Sequence, residues 1–152
     1  MSREIYARYN SRNPDASMAC QAAVSLSAAL ACNELMDEAI SLLRHKLPVA
    51  RRCLGRDDRV VLKMTECLAS NILLVADEAG MTREDLDECE ALYKHVLKTM
   101  RQVLGTAHPD TQRIQGKLDV VVKIRETERP GFQFDRDRVS RLLEEFAERE
   151  PR

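Results

Sequence analysis

The chain has 152 residues, 44% hydrophobic and 32% charged, which suits one ordinary domain with a core and excludes a disordered acidic tail or a membrane protein. Lys and Arg total 24 against 25 Asp and Glu, a formal net charge of -1, so the surplus of cations that a nucleic-acid partner needs is missing. With 5 Gly, 5 Pro, 3 Tyr, 3 Phe and no Trp, the turns and strands of a sandwich or barrel are poorly provided for, and an all-helical chain is favoured.

The first ten residues, MSREIYARYN, lack the apolar core of a secretory signal, and Ser2 excludes myristoylation. No run is read as long and apolar enough to span a membrane. Cys20, Cys32, Cys53, Cys67 and Cys89 form neither a C-x-x-C motif nor a Cys/His pair at zinc spacing. They read as small buried thiols of a reducing cytoplasm, with no metal and no cofactor.

A short helix near residues 3–9 is expected first. Residues 15–33 are small and apolar on several faces, as in a helix buried between neighbours, with Asp15 as its N-cap. From Leu35 the apolar positions Ala39, Leu42, Leu43, Leu47, Ala50 and Leu54 step by three and four, and Gly55 ends the stripe. Pro48 lies inside it and should kink or divide that helix. Asp57 or Asp58 caps a helix through Leu62, Leu68, Ile72 and Val75 that ends near Gly80. Thr82 and Asp85 form an imperfect capping box for the next, which runs past Leu86, Cys89, Tyr93 and Leu97 to Gly105. Pro109 and Asp110 open another, through Ile114, Leu118 and Ile124. The run of Val120, Val121 and Val122 would suit a strand, but has nothing to pair with. Residues 127–134 read as a loop. Residues 135–150 read as a charged helix with a narrow stripe of Val139, Leu142, Leu143 and Phe146, N-capped by Asp135, with a Phe134–Val139 hydrophobic staple.

Laid on itself, the chain repeats. At an offset of 50, residues 34–55 match residues 84–105 without gaps at Glu34/Glu84, Asp37/Asp87, Glu38/Glu88, Leu42/Leu92, His45/His95, Leu47/Leu97, Arg51/Arg101, Leu54/Leu104 and Gly55/Gly105. Asn13-Pro14-Asp15 is similar to His108-Pro109-Asp110, with Asp58 in the equivalent place between them. Each unit is a helix, a turn, a second helix and a short loop. Such a hairpin cannot bury its apolar face alone and must stack on a neighbour.

The stretch LYKHVLKTMRQVLGTAHPDT, residues 92–111, resembles the tetratricopeptide repeats of kinesin light chains and nephrocystin-like proteins, which run approximately L-Y-x-x-A-L-x-x-x-x-x-x-L-G-x-x-H-P-D-T. Cys89, Tyr93 and Val96 stand where that family prefers Ala, an aromatic and Ala, and Ala39 and Leu43 match in the preceding unit. Residues 26–30 and 68–72 are similar to its helix A segment. Lys46, Pro48, the long second unit and the lack of a helix A tyrosine depart from the pattern. The resemblance covers roughly residues 10–125. It implies a right-handed stack of antiparallel hairpins over residues 1–126, about three units, with residues 135–150 as a C-terminal cap.

That resemblance also implies a function. Its A helices line a concave groove that receives a peptide or protein partner, and Gln21, Lys63, Asn71, Asp119 and Lys123 are the polar residues expected on it. Their mixed signs do not make the all-basic clamp that some such domains use for C-terminal carboxylates. A second resemblance is to the helical C-terminal arrays of MYND-domain lysine methyltransferases. No N-H-S-C-like run and no cysteine-rich zinc module is present, so it implies only an accessory helical part. Self-association through exposed end hairpins is a further expectation.

No enzyme activity is expected. The chain has no phosphate-binding glycine loop, nucleophile elbow or H-E-x-x-H. His45 and His95 occupy equivalent repeat positions and read as surface residues, and His108 as a loop-shaping one. The basic cluster of Arg44, His45, Lys46, Arg51, Arg52 and Arg56 reads as the polar side of its helix.

Overall fold

The computed structural model describes residues 13–79 and 82–127, with positions 141, 144 and 145. Five helices follow in order: α1 Pro14–Cys32, α2 Met36–Leu54, α3 Arg59–Ala79, α4 Arg83–Val103 and α5 Pro109–Thr127. There is no strand among the described residues, and the valine run at 120–122 lies within α5, where Val120 and Val121 are buried. Burial against neighbouring helices decides that segment over its β propensity. The chain is all-α.

Local chemistry sets the ends of these helices. Asn13, not Asp15, caps α1: its side chain accepts from the Ala16 N–H at 3.1 Å, and Pro14 takes the first helical position. Proline there loses no hydrogen bond, which moves the cap one residue before it and leaves Asp15 in the first turn. Asp58 opens α3, its carboxylate accepting from Val60 N–H and its carbonyl from Leu62 N–H, each at 2.8 Å. Thr82 and Asp85 make a complete capping box at α4. At α5, His108 Nδ1 accepts from the Asp110 N–H at 3.2 Å, so this histidine shapes its loop by hydrogen bonding.

Pro48 does not divide α2, which runs unbroken from Met36 to Leu54 with the proline on an exposed side. The helix instead ends at Gly55, with φ 93° and ψ 156°, and its repeat equivalent Gly105 has φ 90°. Side chains rarely adopt such backbone angles. A Cβ at either glycine would meet nothing within 4 Å, so the obstacle is the backbone alone. Gly55→Ala and Gly105→Ala are each expected to cost about 1–3 kcal/mol in urea unfolding. A loss below a few tenths would show that these angles relax freely.

Each helix packs on the next in sequence, and α1 packs also on α3. The core fills the spaces between them with Leu43, Leu62, Leu68, Tyr93, Ile114 and Val121, all essentially sealed from water. Each such side chain contributes roughly 1.5–3 kcal/mol by leaving water. The 50-residue offset is visible in that packing: Ala39 and Cys89 are both fully buried, as are Leu43 and Tyr93. It fails at the first position, where Glu34 takes a left-handed turn (φ 63°) while Glu84 is already helical.

Polar ties connect the two equivalent helices. Arg44 on α2 donates to Glu88 on α4 at 2.5 Å and lies 3.6 Å from Asp85. His95 Nε2 lies 3.1 Å from the Arg56 carbonyl, and the Thr99 hydroxyl donates to Asp57 at 3.1 Å, so α4 grips the loop that follows α2.

Several expectations are corrected or fall outside the described residues. Helix α1 is not buried between neighbours, since only Ala23 and Ser27 are fully covered. It is also long and apolar enough, by length and composition, to cross a membrane. Alanines, serines and cysteines with Asp15 as the sole charge give it that character, although no single stretch of large apolar residues announces it. Residue 127, expected in a loop, belongs to α5, which includes Thr127. The helix near residues 3–9, the 135–150 cap with its Asp135 N-cap and Phe134–Val139 staple, and the rest of the loop lie outside the described residues, save that positions 141, 144 and 145 are helical and exposed.

Candidate functional site

Helix α3 places Lys63, Glu66 and Ser70 at steps of three and four, and α5 places Arg113 and Lys117 one turn apart, so the two sets face each other. Glu66 is 3% exposed and sits at the centre. Arg113 donates to both its carboxylate oxygens, the second contact at 3.2 Å. Lys117 Nζ lies 3.2 Å from Glu66 Oε1 and Lys63 Nζ 3.5 Å from Oε2. Lys117 also donates to the Ser70 hydroxyl at 3.2 Å, and Ser70 lies 3.0 Å from the hydroxyl of buried Tyr93 on α4. A chain of polar contacts therefore links three helices.

Burial by itself would raise the Glu66 carboxyl, because the charged form loses water. The hydrogen bond from Arg113 and the charges of Lys117, Arg113 and Lys63 outweigh that and hold it at about 2, against an ordinary 4.5. Glu66 is an anion that is matched by its neighbours and not poised for proton transfer.

Above this cluster lies an open cleft of about 450 Å³. Gln21 and Val24 border it from α1, Arg59, Lys63 and Glu66 from α3, Met100 from α4, and Asp110 and Arg113 from the start of α5. Cations around a buried carboxylate, with an amide on one rim, make a polar surface suited to hydrogen-bonding and ion-pairing an extended chain.

Two of the five residues expected on a groove, Gln21 and Lys63, meet in this cleft. Asn71 does not: it is 7% exposed, and its Nδ2 is buried without a hydrogen-bond partner. It is a core position, next in the chain to Ser70 but on a different side of α3. Asp119 is exposed and accepts from Gln115 at 2.7 Å. Gln115 borders a separate hollow between α4 and α5, with Lys94, Lys98 and Arg101. Lys123 is exposed and borders neither hollow. The central trio of Glu66, Arg113 and Lys117 was not singled out from sequence. The four-residue spacing of the two cations on α5 was the available signal, and it resembles any solvated helix face.

The cysteines divide by burial. Cys89 donates to the Ala69 carbonyl at 3.1 Å, and burial, with Glu88 and Asp85 adding to it, pushes its thiol up to about 12. The expected burial of all five cysteines does not hold: Cys20 and Cys67 are half-buried, and Cys32 and Cys53 are exposed. No group of three or more His, Cys, Asp or Glu among the described residues is placed to hold a metal ion. Compared with models of protein families, with curated proteins and with solved structures, the chain matches none of them.

Proposed function

We propose that the chain is a protein-interaction module built as a right-handed stack of tetratricopeptide-like hairpins, and that it binds a peptide segment of a partner protein across the cleft bordered by α1, α3 and α5. The observation that carries this reading is that one cleft draws polar side chains from three alternate helices: Gln21, Lys63 with Glu66, and Arg113. A groove whose polar side chains come from every second helix is what a stack of hairpins offers to an extended ligand. The offset of 50 between α2 and α4, the paired glycines that end them, and the packing of α1 on α3 support the same arrangement. The module recognises its partner by hydrogen bonds and ion pairs and carries no catalytic chemistry of its own.

Affinity capture from cells with the wild type and with a Gln21→Ala/Lys63→Glu variant tests this. Both positions are exposed, so the helical circular dichroism should be unchanged while captured partners fall by about tenfold or more. Equal capture of the same partners by both proteins would remove the cleft from consideration.

A further inference from the structure

The outward side of α2 repeats a surface that the molecule buries elsewhere. Helix α4 meets α2 and its following loop through Asp85, Glu88, His95 and Thr99, which contact Arg44, Arg56 and Asp57. Along that side Val96 and Thr99 are 0% and 3% exposed. At the offset of 50 the equivalents are Leu35, the residue that caps the start of α2, and Glu38, His45, Lys46 and Val49 on it, and all five are exposed. Leu35 and Val49 keep 43% and 44% of their surface, with half-buried Leu42 midway between them. The three are seven residues apart, two helical turns, and so form one apolar row along the helix.

We infer that this row is the contact of a symmetric dimer, in which α2 packs antiparallel on α2 of a second copy of this chain with the two-fold axis at Leu42. The charges select this occupant. Exposed acids gather at the start of α2 (Asp37 and Glu38), and exposed bases toward its end (His45, Lys46 and Arg52). Positions 35 and 49 lie equally far from 42, and so do 38 and 46. Rotation about Leu42 therefore sets Leu35 against Val49 of the second copy and Glu38 against Lys46 of the second copy, and it does so twice. Such self-complementarity is what an isologous interface requires. A parallel arrangement would instead set acid on acid and base on base. The contact uses neither the cleft nor its ion cluster, so it stands apart from the peptide-binding reading.

Analytical ultracentrifugation of the full chain over graded concentrations tests the dimer, with circular dichroism confirming that each surface variant stays folded. The wild type should show a reversible monomer–dimer equilibrium, and Val49→Glu should be monomeric. Glu38→Lys and Lys46→Glu should each weaken association about tenfold, and the double swap Glu38→Lys/Lys46→Glu should restore it to within about threefold, because opposite charges meet again. Three results would overturn the inference. One is a wild type that is monomeric throughout, as it would be if residues 1–12 or another protein covered the row. The others are association that Val49→Glu leaves intact, or a double swap no tighter than the single variants.

Discussion

Glu66→Gln is expected to cost about 3–5 kcal/mol of folding stability at neutral pH, measured by urea unfolding. The glutamine keeps the size of the side chain but removes the charge that Arg113, Lys117 and Lys63 share, leaving three cations crowded around a neutral amide. The sign of the pH dependence follows from the same contacts. Glu66 titrates at about 2 in the folded protein against an ordinary 4.5, so the unfolded chain binds a proton more readily. Its contribution is complete above pH 4.5, declines as the pH falls from 4.5 toward 2, and amounts to about 3 kcal/mol. Between those limits the wild type should lose stability more steeply than Glu66→Gln, and the two curves should converge at low pH. Parallel curves would mean that the carboxylate is not held by its neighbours.

Tyr93→Ala is expected to be comparably damaging, about 3–5 kcal/mol, because it empties a fully buried aromatic site between α3 and α4. Tyr93→Phe separates packing from polarity. It keeps the ring and removes only the hydroxyl that meets Ser70, and should cost about 1 kcal/mol. Thermal unfolding of the pair gives the comparison. If the alanine variant lost no more than the phenylalanine one, the ring would not be a core element. Leu43 holds the equivalent place on α2, at the offset of 50, and is equally buried, so the same core position is filled by an aliphatic side chain in one unit and an aromatic in the next.

These two residues also mark how far the sequence could be read. Tyr93 was legible, because it lies on an apolar stripe with Cys89, Val96 and Leu97 and matches Leu43 at the repeat offset. Glu66 was not. Arg113 and Lys117 stand 47 and 51 residues away on another helix, and nothing local distinguishes Glu66 from the acids of a solvated face. Asn71 failed in the opposite direction. The family resemblance placed it on the groove, yet it is a buried position.

What the sequence by itself determined are the properties held within one or two turns of chain: the helices, the capping box at Thr82, the glycines at 55 and 105, and the repeat. Local hydrogen bonding, backbone freedom and apolar period specify those directly. Tertiary structure alone decided which polar residues share a cleft, which carboxylate is buried among cations, and that a largely apolar α1 remains mostly open on its outer surface. Those outcomes depend on the rotation of each helix about its axis and on which helix stands across from it. Contacts between residues far apart in the chain fix both, and a periodic pattern cannot encode them.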